Sequence, residues 1–305
     1  MNLRSGENTV KVVLVAIGFF VFAAGASATT LFRFNFDNAA AGPLADGAAY
    51  TLGAGELTTA SATVAARAQG VGADGPAFAD AGTVLAGPFQ GGKAMVVQSG
   101  NKSEGLRVTL AQGIAPGDLT VEAIFCTSVD PVVGPSANTV GLQYVVNDEW
   151  PVGESHQFMM RILGGGGAGS GKLYYWTDRG DSNSEKVETI AVISANTWYH
   201  CALVLNYNES TPASSQVELF LNGVSQGTSV YNAAANSVCL GVNTGTVGRT
   251  FTIGYGNQLE ANTLDHRGLD GAIDAVAISD AVLGPGTFVL PTSATSSVEN
   301  WSLFE

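Results

Sequence analysis

Positive charge is scarce in this chain: across 305 residues, 13 Lys and Arg stand against 26 Asp and Glu, for a formal net charge of −13. A surface of that sign repels phosphate backbones and anionic lipid head groups, which argues against nucleic acid or a membrane surface as partner. Neutral glycans and cation-bridged partners stay open. Histidine is nearly absent, with only His156, His200 and His266. No nucleophile–base triad is supported by them, and no His/Cys/Asp spacing matches a zinc site. Cysteine is limited to Cys126, Cys201 and Cys239, an odd number. Cys126 and Cys201 fall in strand-like apolar stretches, where a thiol behaves as a small apolar side chain. Cys239 lies in a loop-like stretch and is open to pairing with either in an oxidising compartment, a choice that spacing alone leaves undecided. No long amphipathic helical period follows the N-terminus, and no second long apolar segment follows the first.

What is present begins with a targeting pattern. Arg4 and Lys11 precede an apolar core over 12–24 and a small-x-small site at Ala26-Ser27-Ala28. Residues 1–28 therefore read as a signal peptide, giving a secreted, periplasmic or cell-surface protein with no membrane insertion after cleavage. The alternative is an uncleaved anchor, since 10–28 just suffices to span a bilayer. Cleavage removes Arg4, Lys11 and Glu7, so the net charge moves from −13 to −14. With 39 Gly and 13% charged residues, the remainder fits many turns and half-buried strands. One all-β domain over 29–290 with a C-terminal tail, 291–305, is the expected organisation.

The chain is organised around 197–278. It opens with Trp198-Tyr199-His200-Cys201-Ala202-Leu203-Val204-Leu205, rich in residues that suit a pleated, half-buried surface. Val217, Leu219 and Leu221 then share one face, and Asn222-Gly223 tolerates the positive φ of a tight turn, which predicts a hairpin. Phe251-Thr252-Ile253-Gly254-Tyr255 and a last strand containing Gly271-Ala272-Ile273-Asp274 follow. In order and spacing, these pieces resemble the C-terminal half of laminin-G-like, concanavalin A-like jelly-roll domains of the bacterial, pentraxin-related kind. That pattern is a Trp-x-His strand, a strand ending in Asn-Gly, an Ile-Gly strand and a closing Gly-x-Ile-Asp strand. The resemblance implies two antiparallel sheets packed face to face. It does not choose among the many functions such domains serve.

Phe32, Phe34 and Phe36 alternate with polar positions and are expected on a buried face, in a strand laid beside the last one, as the resemblance implies. The Ala/Gly-rich stretch 39–88 reads as a long connection with only 63–69 strand-like, pinned by Tyr50, Leu52, Leu57 and Phe78. Residues 91–97 and 105–110 read as a strand pair around a polar turn. Residues 119–127 match the family's central strand, with Phe125 where many relatives carry Trp. A strand over 139–146 leads to a loop with Asp148, Glu149 and Trp150. Residues 156–163 and 172–177 make a hairpin across the Gly run 164–167, which lacks the following helix or Lys-Ser/Thr of a phosphate loop. The stretch 230–248 is an insertion of the kind that lies on a rim and varies with function.

Retaining glucanases on this sandwich need two carboxylates about 5 Å apart. Here Glu122 stands alone on the central strand, and Asp148 and Glu149 point to opposite sides if extended, so no catalytic residue is assigned. His200 occupies the family's structural His position. Asp274 shares a face with Val276 and Ile278 by alternation and so needs a partner. Either it accepts backbone N–H bonds, or, as the resemblance implies, it binds a structural Ca²⁺ with backbone carbonyls near Asp37-Asn38 and Gly91-Gly92. Asp37 and Asp274 are thus the expected metal residues. For a ligand, Tyr174 and Trp176 share one strand face, Tyr175 takes the other, and Tyr144, Trp150, Asp178 and Arg179 lie on or beside neighbouring loops. Trp150, Tyr174, Trp176, Asp178 and Arg179 form a candidate glycan platform of stacking rings and polar groups. The plainer alternative makes Tyr174 and Trp176 the core face of their strand.

The reading is an exported, non-catalytic recognition module for a glycan or an extracellular protein. Its alternatives are a structural or adhesive surface protein and, on the same fold, a glycoside hydrolase with an atypical site.

Overall fold

The computed structural model describes residues 28–58, 62–70, 74–89, 91–97, 102–111, 117–130, 142–149, 159–163, 171–177, 185–208, 210–211, 214–231, 250–256 and 267–293. The expected signal peptide lies outside these residues up to 27, as does the tail from 294. The N-terminal half of the fold comprises β1 (Thr30–Phe34), β2 (Gly42–Pro43), β3 (Ala62–Gly70), β4 (Ala77–Asp80), α1 (Ala81–Val84), β5 (Lys93–Val97), β6 (Lys102–Leu110) and β7 (Leu119–Thr127). The middle comprises β8 (Leu142–Glu149), β9 (Met159–Leu163), β10 (Leu173–Thr177), β11 (Glu185–Glu188), β12 (Trp198–Asn206), β13 (Ser215–Leu221) and β14 (Val224–Tyr231). The chain then forms β15 (Thr250–Ile253), β16 (Tyr255–Gly256), β17 (Arg267–Gly268) and β18 (Gly271–Ser279).

Apart from β16 and β17, which pair with each other, these strands build two antiparallel sheets, a jelly-roll sandwich. Sheet A runs β14-β13-β12-β7-β18-β5-β4-β2 with β1 also on β18, and sheet B runs β11-β10-β9-β8-β15-β6-β3. First and last strands pair as expected, with Phe32 opposite Ile278 and Phe34 opposite Val276. Phe32, Phe34 and Phe36 are wholly buried between the sheets with Val121, Phe125, Leu219, Phe251 and Ile253. The β13–β14 turn carries Asn222 and Gly223 at φ 49° and 75°, the left-handed pair of a two-residue hairpin loop.

Sheet A is covered on both faces, which explains why β7 and β18 are buried at every position. On its outer face a second apolar layer joins Ala81 and Phe89 to Ile124, Cys126, Trp198, Ala272, Ala277 and Leu290. The Trp198 indole N–H donates to the Leu85 carbonyl at 3.1 Å and ties the α1 region to this face.

Three local expectations are corrected. Residues 91–97 and 105–110 are not a pair: β5 lies between β18 and β4 in sheet A, whereas β6 lies between β15 and β3 in sheet B. Their connection crosses from one sheet to the other. The stretch 39–88 holds β2, β4 and α1 besides the expected strand. Asp148 and Glu149 belong to β8 rather than to a loop, opposite Phe251 and Thr250.

Candidate functional site

Strand β10 decides which of its aromatics face the core. Leu173 and Tyr175 join the core between the sheets, so Tyr174 stands on the outer face of sheet B. The core ring of the strand is therefore Tyr175. Cross-strand register aligns Tyr174 with Arg161 and Glu188, and Arg161 with Tyr144. Two further rows place Thr252 between Arg107 and Asn147, and Thr250 between Thr109 and Glu149. This face is polar by sequence yet closed in its middle: Arg161 is 7% exposed, Tyr174 6%, Thr250 5% and Thr252 0%. Each of these four residues interacts with neighbouring groups.

Several strand termini of sheet B meet at one end. Thr250 pairs with Glu149, and Thr177 with Glu185. Asn147 pairs with Met159, and Tyr175 with Met160. The ends of β8 and β10 that lead into Trp150 and into Asp178-Arg179 therefore share one rim with the start of β15. Connections 150–158, 178–184 and 232–249 all join the sheet there. Trp150, Asp178 and Arg179 lie outside the described residues, as does the side chain of Trp176, whose backbone pairs with Lys186. Cys239, His156 and His266 are likewise outside.

Glu122 has a histidine beside it. It lies on the outer face of β7, and its Oε2 is 3.2 Å from His200 Nε2 on β12, with both side chains fully buried. The Val289 N–H donates to Glu122 Oε1 and the Leu290 N–H to Oε2, each at 3.0 Å. The His200 ring lies 5.3 Å from that of Phe288, which also meets Phe220 edge-on at 5.3 Å. The backbone N–H of His200 donates to Asn222 Oδ1 at 2.9 Å. Sequence alternation gives Glu122 and His200 their faces, but only the β7–β12 pairing reveals them as neighbours.

Asp274 sits where β18 changes partners. One edge of β18 stays on β7 throughout; the other pairs with β5 up to Ile273 and with β1 from Val276. At that point a bulge inserts Asp274 between the residues opposite Phe125 and Ile124. Simple alternation, which gave it the face of Val276, therefore breaks at this residue. Asp274 is 1% exposed. Asp37 lies beyond the end of β1, where its Oδ1 accepts the Lys93 N–H at 3.3 Å. A Cβ on Gly92 would come within 1.7 Å of that oxygen, so glycine is what lets the carboxylate approach. Burial, above all, and the nearby Glu56 hold the Asp37 carboxyl above its ordinary range, opposed by the Lys93 N–H and by Arg33 and Lys93.

Glu56, which drew no attention in the sequence, organises this corner. Its carboxylate accepts the N–H groups of Asn35, Phe36 and Gly53 at 2.9, 2.7 and 2.8 Å and the Tyr50 hydroxyl. Phe36 is thereby held at φ 57°, an uncommon conformation for an aromatic residue. Beside it a cleft of about 330 Å³ opens between 38–44 and 49–53, floored by Tyr50 and Phe78 and lined by no charged residue. Among the described residues no group of three or more His, Cys, Asp or Glu side chains is placed to hold a metal. Near the end of β1, the buried amide oxygen of Asn35 has no hydrogen-bond partner.

The family model described as the concanavalin A-like lectin/glucanases superfamily matches residues 117–287. No curated protein matches by sequence. Among solved structures, the chain is similar to a heptameric SAP-like pentraxin from Limulus polyphemus, at 15% identity and a TM-score of 0.40, over 57% of this chain and 70% of that one. It is also similar to the CBM40 of a Ruminococcus gnavus IT-sialidase bound to α2,3 sialyllactose, at 12% identity and 0.42, over 63% and 92%. Domains LG4-5 of the mouse laminin α1 chain give 13% identity and 0.38, over 60% and 41%.

Proposed function

Because the chain belongs to the concanavalin A-like lectin/glucanases superfamily, we propose that it is an exported, non-catalytic module that recognises a glycan or an extracellular protein. The ligand meets the rim at which β8, β10 and β15 end, with Trp150, Trp176, Asp178 and Arg179 as contacts and Tyr174 buried behind them. The observation that carries this reading is the split within β10: Tyr175 fills the core, while Tyr174 lies on the other face in register with Arg161. Loops anchored to rigid strands are where such modules place their binding residues. Burial at Tyr174 and Arg161 moves the site from the middle of the face to its end.

The state of Glu122 supports the absence of hydrolysis. Glycosidic hydrolysis on this fold uses a pair of carboxyls, and the partners of this one are His200 Nε2 and the Val289 and Leu290 N–H groups. Calcium belongs to the proposal as a structural ion: Asp37, Asp274 and Asn35 offer oxygen donors only, the set that suits it.

A glycan array probed with the exported chain and with Trp150→Ala and Trp176→Ala tests the reading. Binding that falls about tenfold or more in either variant is expected, since a stacked aromatic contributes on the order of 1 kcal/mol or more. Binding indifferent to both substitutions removes the rim from consideration. Self-assembly with no sugar signal favours the structural or adhesive alternative.

A further inference from the structure

The segment after β18 runs across sheet A rather than away from it. Thr120 Oγ1 donates to the Ala281 carbonyl at 2.6 Å and accepts the Leu283 N–H at 3.1 Å, which fixes the start. A turn follows in which the Thr287 and Phe288 N–H groups donate to the Gly284 carbonyl at 2.8 and 3.0 Å. Phe288, Val289 and Leu290 then cross β7 and β12, and Thr292 reaches the β13–β14 turn, 3.3 Å from where a Cβ on Gly223 would stand. Among the described residues this segment joins neither sheet ladder.

Its hold on the sheet is therefore concentrated. The two backbone N–H groups of Val289 and Leu290 end on a single carboxylate, Glu122, which also faces His200 Nε2. Two backbone N–H donors and the His200 ring nitrogen thus converge on the two oxygens of one side chain. The rest is apolar contact by Phe288 and Leu290. Just before it, the added Cβ at Gly284 or Gly286 would meet nothing within 4 Å, and Pro285 and Gly286 are exposed. A Gly-Pro-Gly turn closed within itself, with the Gly284 N–H on Thr287 Oγ1 at 3.0 Å, and with open space about its glycines, next to a point attachment, is the mechanical form of a hinge and a latch.

We propose that residues 284–293 are a strap that opens as a unit about Gly284-Pro285-Gly286, and that the Glu122 carboxylate, backed by His200, is the latch that keeps it shut. Opening bares the outer-face strip of Ala202, Val204 and Phe220 that Phe288 now covers, while the core between the sheets stays closed. The inference does not depend on what the rim of sheet B binds.

Hydrogen exchange of the full chain, read peptide by peptide by mass spectrometry, tests it with Glu122→Gln. The glutamine amide would turn a donor toward one of the strap N–H groups, so peptides covering 287–293 are expected to exchange about tenfold faster or more. Peptides of β7 and β12 should keep their wild-type rates. Phe288→Ala, on the strap itself, is the second arm, and it too should speed exchange over 287–293 alone. Acceleration spread evenly over both sheets in Glu122→Gln, or unchanged strap exchange in Phe288→Ala, overturns the proposal.

Discussion

Phe34 of the first strand lies directly opposite Val276 of the last, and both side chains are wholly buried. This pair joins β1 to β18, and the Phe34 ring packs against Phe36 and Tyr50 with centroids 6.4 Å away in each case. Phe34→Ala leaves a cavity enclosed by two rigid sheets, and is expected to cost about 3–5 kcal/mol. Urea unfolding measures it, with a lowered midpoint and an unchanged slope. A cost under about 1 kcal/mol would detach β1 from the cooperative unit.

Tyr50 makes stability fall in alkali. Burial first, then the adjacent Glu56 carboxylate, push its phenol far above the ordinary value of 10.0. In the unfolded chain the phenol ionises near that ordinary value, while in the folded chain it stays protonated. The unfolded state thus binds fewer protons, and the stability contributed by Tyr50, complete below about pH 10, is lost as pH rises further. Tyr50→Phe removes the titration together with the hydrogen bond to Glu56, at about 1 kcal/mol near neutrality. Urea midpoints from about pH 8 to about pH 11 should show the gap between wild type and variant closing in alkali. A gap that stays constant would mean that Tyr50 titrates alike in both states.

Cys126 and Cys201 should be inert in the folded protein. Burial, the main cause, pushes the Cys126 thiol up to about 12 and raises Cys201 further, with Asp274 and Glu122 adding to the respective shifts. Only the thiolate attacks alkylating reagents. Native-state alkylation at about pH 8, located by mass spectrometry, is expected to spare both until denaturant is added. Labelling of either at the rate of an exposed thiol would contradict the burial of β7 or β12.

The strands that alternation could reveal were legible in the sequence: the phenylalanines at 32, 34 and 36, the β13–β14 hairpin with its Asn222-Gly223 turn, and the closing strand through Val276 all stand where their patterns put them. What alternation cannot encode is partnership. β5 and β6 are neighbours in sequence with a short polar stretch between them, and nothing local says that one joins sheet A and the other sheet B. The Glu122–His200 contact likewise depends on which strands are adjacent. For β10 the period sorts Tyr174 from Tyr175 but not inside from outside, because both sets contain aromatics. At Asp274 the period itself is broken by the bulge.

That bulge sets the last prediction, at the junction of β1, β5 and β18. Asp37 carries a carboxyl that burial, and then Glu56, hold above its ordinary range. Without a cation its charge is therefore unfavourable, and stability associated with Asp37 increases as pH falls through its folded value. A bound Ca²⁺ needs the ionised form, so the two dependences have opposite sign. Thermal unfolding near neutral pH should show a higher Tm in millimolar Ca²⁺ than in EDTA for the wild type, and the difference should fade as the solution is acidified. Asp37→Asn should match or slightly exceed the wild-type Tm in EDTA and lose the calcium response. Gly92→Ala, at φ 90° with its new Cβ forced onto Asp37 Oδ1, should lower Tm in both conditions. An equal calcium shift in wild type and Asp37→Asn would place the ion elsewhere; no shift in the wild type would leave Asp274 to backbone N–H partners.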